Sequence, residues 1–278
     1  MKRACVIGWP IAHSRSPLIH GHWLQRYRID GTYTKEAVRP EDVQAFLRNL
    51  GERGFAGCNV TVPHKEVAFG LADVVHDSAR AVGAANTLWL EGGRLHAANT
   101  DTYGFMTHLA REAPDWQAED RPVLLLGAGG AARAIAYGFL EAGTREIFIA
   151  NRTRARAEAL AAHFGSDRLR VVDWADRSCA AREAGVIVNT TTIGMKGEGS
   201  LGLDLAGAPK SCVVADIVYV PLETELLADA RRHGLEAVDG LGMLLHQAVP
   251  GFEKWFGVRP EVTEELRDII VADIEAHT

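Results

Sequence analysis

Short apolar runs alternate along this chain with longer stretches in which apolar residues recur every three or four positions. The runs Ala4–Ile7, Cys58–Val62, Val123–Leu126, Glu146–Ala150, Arg170–Val172, Val186–Asn189 and Val213–Asp216 have the length and composition of strands. Between them, Ala132, Ile135, Ala136, Phe139 and Leu140 share one face of a helix over 131–142, and the Ala-rich stretch 154–163 predicts another. Strand and helix in alternation predict an α/β fold with mainly parallel strands. A polar stretch from Pro114 to Pro122 marks a domain boundary, with a connecting helix over about 103–113 before it. After Val238 the pattern is helical only, over 241–256 and 261–276, so this segment is expected to fold back onto the first domain. There is no fixed-period repeat and no low-complexity segment.

Composition narrows the class. A chain of 278 residues with 47% hydrophobic positions is long enough for two domains with their own cores. The formal net charge of −6 leaves no broad basic surface for nucleic acid. Gly8, Trp9 and Pro10 interrupt the apolar residues behind Met1-Lys2-Arg3 before they reach the length of a signal core, and no run is long enough to span a bilayer. Cys5, Cys58, Cys179 and Cys212 are scattered without CxxC spacing, which predicts neither a zinc site nor a disulfide framework and fits a reducing, cytoplasmic setting.

Two stretches carry chemistry. Val123–Leu126 runs into Gly127-Ala128-Gly129-Gly130-Ala131-Ala132 and then into a helix, which is a GxGxx(G/A) dinucleotide fingerprint in its strand-turn-helix context. Gly127 permits the turn, Gly129 lets backbone approach a pyrophosphate, Ala132 allows close helix packing, and the helix N-terminus faces the negative charge. Twenty-four residues after Gly127, where a ribose-binding acid marks NAD enzymes, stands Asn151-Arg152-Thr153-Arg154 instead. Arg152 with Asn151, Thr153 and Arg156 offers donors to a 2′-phosphate, so NADP is favoured. A solvated helix start would read the same way, but arginines at a helix N-terminus oppose the macrodipole unless an anion is present.

The second stretch is GCNVTVPHK, residues 57–65. As a strand it sends Cys58, Val60 and Val62 to one face and Asn59 and Thr61 to the other. Pro63 then opens the next element, and Lys65 falls in line with Ala68, Ala72 and Val75 at helical spacing. A lysine on an inward stripe beside polar groups is a candidate for proton exchange rather than for a solvated face.

Nine blocks in order resemble the shikimate dehydrogenase family: GWPIAHSRSP, GCNVTVPHK, GAANT, NTDTYG, GAGGAARA, NRT, NTTTIGM, DIVYVPLET and DGLGMLLHQA. The one departure is Gly21, where the family often has asparagine. The resemblance implies reduction of 3-dehydroshikimate to shikimate by NADPH, in chorismate and aromatic amino acid biosynthesis. It implies a substrate-binding catalytic domain over 1–102 plus 239–278 and a Rossmann-type NADP-binding domain over 103–238, with the active site in a cleft that closes on its ligands. Ser14 and Ser16 would hold the substrate carboxylate. Thr61, Asn86, Tyr219 and Gln247 would bind the ring hydroxyls or the carboxylate, and Lys65 with Asp101 would be the catalytic pair. Ile217 and Gly240 would flank the nicotinamide, and Asp77 would add a cofactor contact.

Blander readings stand beside these. Asp101 after Asn99-Thr100 is also a fitting helix N-cap, and Ser14 and Ser16 are fitting turn residues before Pro17. The histidines His13, His20, His22 and His64 lack HExxH-like spacing, so structural roles and no metal are expected. Rival functions are a quinate/shikimate dehydrogenase or paralogue on a related cyclic acid, and a non-catalytic NADP-binding sensor. The presence of both Lys65 and Asp101 disfavours the sensor. Partners are expected to be small molecules, with no nucleic acid and no membrane, and the protein a monomer or homodimer.

Overall fold

The structure, a computed structural model, describes residues 1–277. The chain divides into two compact units, one built from Met1–Thr102 and Leu245–Asp273 and the other mainly from Tyr103–Leu244.

The first unit runs β1 (Lys2–Gly8), α1 (Ser16–Arg26), β2 (Gly31–Ala37), α2 (Val43–Arg48), β3 (Gly57–Val60), α3 (Lys65–Leu71), β4 (Val74–Val75), α4 (Asp77–Val82), β5 (Thr87–Glu91) and β6 (Arg94–Ala98), and α5 (Asp101–Glu112) begins at its end. Its sheet has the order β2-β1-β3-β5-β6-β4. The pairs β1–β2, β1–β3 and β4–β6 are parallel, while β5 runs antiparallel to both neighbours. One face carries a core of Cys5, Ile7, Cys58, Val60, Leu88 and Ala97 packed by Phe46, Leu47 and Ala68. Aromatic rings of His20, Trp23, Tyr33, Phe252 and Trp255 pack together in a second cluster.

The second unit contains β7 (Val123–Leu126), α6 (Gly130–Glu141), β8 (Ile147–Ala150), α7 (Arg154–Phe164), β9 (Leu169–Val172), α8 (Arg177–Ala181), β10 (Val186–Asn189), β11 (Val213–Asp216), α9 (Glu225–Arg232) and β12 (Glu236–Val238). The helices α10 (Leu241–Phe256) and α11 (Glu264–Ala276) follow. Every strand pair is parallel, in the order β12-β11-β10-β7-β8-β9. Counted from β7 this is the doubly wound 3-2-1-4-5-6 arrangement, whose order reverses between β7 and β10. Side chains alternate between two cores: Val123, Leu125, Ile147 and Ile149 join Ile135 and Phe139, while Leu124, Leu126, Phe148 and Ala150 join Leu226 and Ala230. Strands buried on both faces read as continuous apolar runs, which is how the pattern found them.

Several local expectations give way. The strand ends at Val60 rather than Val62, and Thr61 to His64 form a turn closed by His64 N–H donating to Thr61 O at 3.0 Å. Val62, expected inside, is 70% exposed. Pro63 sits in that turn, and the helix starts at Lys65. Its stripe stops at Ala68. Ala72 is extended because Asp73 pairs with Leu95 through both backbone and carboxylate, and Val74–Val75 add to β6. Strand pairing outcompetes helical propensity there. Strands β2, β4, β5, β6 and β12 escaped the apolar pattern. β2 buries one residue in seven, and β5–β6 is a hairpin whose sign was the Gly92-Gly93 pair, with φ of +59° and +75°.

Candidate active site

In the first unit, two chain segments bring the expected catalytic pair together. Lys65 opens α3, where its carbonyl accepts from Ala85 N at 2.9 Å, and Asp101 opens α5, where its N–H donates to Asn99 Oδ1 at 3.0 Å. Lys65 Nζ donates to Asp101 Oδ2 at 2.6 Å, and Asn86 Nδ2 donates to Asp101 Oδ1 at 2.8 Å. Both carboxylate oxygens are thus held by side chains, which is a different task from capping a helix. The side chains are 30% and 16% exposed, so the ammonium is reachable while its counter-ion is largely sheltered.

Ser14 Oγ donates to Ser16 Oγ at 3.2 Å, and Ser16 N–H donates back to Ser14 Oγ at 3.3 Å, at the start of α1. Two hydroxyls beside a helix start suit a carboxylate. Thr61 stands four residues before Lys65, and its hydroxyl makes no hydrogen bond among the described residues. Gln247 is half-buried on α10 within the same unit. Asp77 also belongs to this unit, at the start of α4, where its exposed carboxylate lies 3.9 Å from Arg80. The histidines have structural surroundings. His64 shares a 2.7 Å bond with Val38 O, and His20 stacks on Tyr33 at 4.0 Å, where burial pushes its pKa down to about 3.

The second unit gathers the cofactor candidates at the reversal of its strand order. Thr190 donates from both N and Oγ1 to Leu126 O, at 2.9 and 2.8 Å, closing the ends of β7 and β10 onto each other. Gly127 has φ +114°, and a Cβ there would lie 2.5 Å from Thr190 Oγ1, so only glycine fits. Gly129 and Gly130 are the opposite case, since a Cβ on either meets nothing within 4 Å. Open space over bare backbone, at a helix start without a side-chain cap, suits a pyrophosphate. Ala128 and Ala131 complete the turn. Gly127 N donates to Ala150 O at 2.8 Å, which brings Asn151–Arg156 alongside. Arg154 is spent on Glu158 and Asp173, and Asn151 Nδ2 donates to Thr153 O. Arg152 and Arg156 are exposed and take part in no ion pair among the described residues, so their charge is available to an anion. These residues fit NADP.

Gly240 and Ile217 also meet. A Cβ on Gly240 would fall 2.4 Å from Ile217 O. The half-buried Tyr219 sits in the same loop after β11. That loop is pinned by Asp216, unremarked in the sequence, which accepts from Asn189 Nδ2 at 2.9 Å, Val218 N at 2.9 Å and Thr224 Oγ1 at 2.8 Å. Burial pushes its pKa up to about 6 against those three donors.

Comparison with known proteins identifies the family. Family models match in order along the chain: the shikimate dehydrogenase substrate binding domain over residues 6–88, shikimate / quinate 5-dehydrogenase over 108–195, and the shikimate 5'-dehydrogenase C-terminal domain over 240–264. A shikimate dehydrogenase (NADP(+)) of Azorhizobium caulinodans is 55% identical over 99% of this chain and 98% of its own length. The chain belongs to the shikimate dehydrogenase family. A Brucella abortus shikimate dehydrogenase (NADP(+)) is 53% identical over 98% of this chain and 95% of its own. Among solved structures, shikimate 5-dehydrogenase of Thermus thermophilus with NADP(H) and shikimate matches with TM-score 0.86 at 35% identity, covering 99% of this chain and all of that one. Within the family, quinate dehydrogenase of Corynebacterium glutamicum with NAD matches with TM-score 0.89 at 30% identity, over 98% and 99% of the two chains. Fold alone therefore does not separate the family's substrates. No helix among the described residues is long and apolar enough to cross a membrane.

Proposed function

We propose that this protein catalyses the reversible, NADP-dependent reduction of 3-dehydroshikimate to shikimate. The observation that carries the reading is the Lys65–Asp101 pair, 2.6 Å apart and steadied from its far side by Asn86. Residues 1–102 with most of 239–278 serve as the substrate domain, and 103–238 together with the start of the following segment, which carries Gly240, as the NADP domain. Gly127 to Ala131 and the N-terminus of α6 hold the pyrophosphate, Arg152, Arg156, Thr153 and Asn151 the 2′-phosphate, and Ile217 and Gly240 the nicotinamide. Asp77 is the remaining cofactor contact. NADPH supplies the hydride.

The chain's own residues manage binding and the proton. Ser14 and Ser16 take the ring carboxylate, while Thr61, Asn86, Gln247 and Tyr219 take the remaining polar groups. Lys65 gives its proton to the oxygen on C3 as the carbonyl is reduced, and accepts the C3 hydroxyl proton in the reverse direction. Asp101 keeps the amine aimed at that oxygen. Because the two groups are coupled, a pH–rate profile reports the pair rather than either residue. The scattered cysteines support a reducing, cytoplasmic setting, and the net charge of −6 supports small-molecule rather than nucleic-acid partners.

The test follows reduced-cofactor absorbance with NADP or NAD against shikimate or quinate. Turnover fastest with shikimate and NADP is expected. A preference for quinate with NAD would overturn the assignment in favour of the quinate branch of the family.

A further inference from the structure

Behind the Lys65–Asp101 pair lies a buried polar chain of which only the last member, Asn86, has a role in the proposed reaction. Its directions follow from which atoms can donate. A carboxylate only accepts, so the Asn86 atom 2.8 Å from Asp101 Oδ1 is the amide nitrogen. A backbone N–H only donates, so the Asn86 atom 2.8 Å from Thr100 N is the amide oxygen. The amide is therefore oriented from both ends. Asn86 Oδ1 also accepts from Thr87 Oγ1 at 3.1 Å. Thr100 Oγ1 donates to the same oxygen at 3.1 Å and lies 3.1 Å from Thr87 Oγ1, a contact in which either hydroxyl can be the donor. The Thr87 hydroxyl accepts from Asn59 Nδ2 at 3.2 Å, and the same amide nitrogen donates to Asn86 O at 3.2 Å. Reversed, the Asn59 amide would set its oxygen against that carbonyl. Asn59 Oδ1 accepts from the Tyr33 hydroxyl at 2.6 Å.

Every donor in this series points the same way, from Tyr33 through Asn59, Thr87 and Asn86 to Asp101. The strand register builds it, since Asn59 and Thr87 are direct cross-strand partners on β3 and β5. All four residues before Asp101 are buried, Thr87 to 1%, so water cannot substitute for a missing link. Burial holds the Tyr33 phenol well above its ordinary value, so it stays a donor. In such surroundings successive bonds polarise one another.

We infer that Tyr33, Asn59 and Thr87 are positioning residues, forming a one-way hydrogen-bond relay that locks Asn86 and so fixes Asp101 against Lys65. The inference rests on the reading of Lys65 and Asp101 as the proton-handling pair. A misplacement of about 1 Å in such a pair costs on the order of 10²-fold in rate. A loss of one buried link, which allows the amide to turn rather than removing it, should cost less.

Thr87→Val removes the hydroxyl at nearly constant volume, Thr87→Ser restores it, and Tyr33→Phe removes the first donor. The side-chain amide protons of Asn86, followed by ¹⁵N NMR without substrate, should exchange about tenfold faster in Thr87→Val and near the wild-type rate in Thr87→Ser. With shikimate and NADP, kcat should fall about tenfold in Thr87→Val and about threefold in Tyr33→Phe, with KM nearly unchanged, and Thr87→Ser should recover most of it. Unchanged Asn86 exchange in Thr87→Val, an unchanged kcat, or a serine variant as impaired as the valine one would overturn the relay. If Thr87→Val fails to fold, Tyr33→Phe decides on both readouts. Absence of wild-type turnover would count against the proposed function alone, because the amide measurement needs no substrate and still decides on the relay.

Discussion

The two units build their sites by opposite means. In the second, the candidate cofactor positions are defined by missing side chains: Gly127 because a Cβ would strike Thr190, Gly129 and Gly130 because the space above them is open, and Gly240 because Ile217 lies against it. In the first, the candidate catalytic group is defined by what side chains do to one another, from Tyr33 to Asp101. Bare backbone gives general affinity for a nucleotide, whereas a directed side-chain network gives one reactive group its aim. The units should accordingly fail differently.

The sharpest break is Lys65→Ala, expected to lower kcat by about 10²- to 10⁴-fold with little change in shikimate affinity, read from initial rates in both directions. Loss in KM alone would move Lys65 from proton transfer to binding. Next comes Gly240→Ala. Its Cβ would meet the Ile217 carbonyl, a backbone group that cannot swing aside, so NADP affinity should fall about 10²-fold by calorimetry while shikimate affinity holds. Equal loss of both ligands would erase the contrast between the units. Arg152→Gln should raise KM for NADP by about 10- to 100-fold and leave KM for NAD alone, since only the 2′-phosphate is affected.

A smaller effect separates the units by pH. His20 stays neutral in the folded first unit down to about 3, so it favours folding above its ordinary 6.5 and loses that contribution as acid charges the unfolded chain. Moving from pH 7 to 5 should cost about 2 kcal/mol there. Asp216 has the opposite sign. Raised to about 6, it takes up a proton in the folded second unit first, so the same acidification should add about 1 kcal/mol. Amide hydrogen exchange on β3 and β10, corrected for intrinsic rates, would show these trends diverge. His20→Phe should flatten the first and Asp216→Asn the second, and parallel trends would defeat both assignments.

The second unit was also the more legible. Its strands are apolar on both faces and its glycines follow a spacing set by a ligand, so the sequence shows them one position at a time. In the first unit the residue pattern itself marked Lys65 as a candidate for proton exchange, whereas Asp101 read equally as a helix N-cap until the family resemblance paired the two. β2 has a mostly polar exterior, and Val74–Val75 looked helical until β6 was present to pair with. Asn59 was visible only as a polar residue sharing a strand face with Thr61, opposite the apolar one, and Tyr33 and Thr87 carry no such mark. Their meaning comes from pairing across strands 26 and 28 residues apart in the chain.

The C-terminal helices carry a further consequence, for the order in which the protein is made. The first unit is closed by late residues: Trp255 Nε1 donates to Leu88 O at 2.8 Å, Trp23 Nε1 to Glu261 O at 2.9 Å, and Arg15 pairs with Asp273 at 2.9 Å. Translation delivers all of residues 103–244 before these partners, a wait on the order of ten seconds at about 5–20 residues per second. Nascent β3 and β5 must spend that interval without the tryptophan that packs against them, so the unit whose sheet is made earlier is the one that completes its fold later.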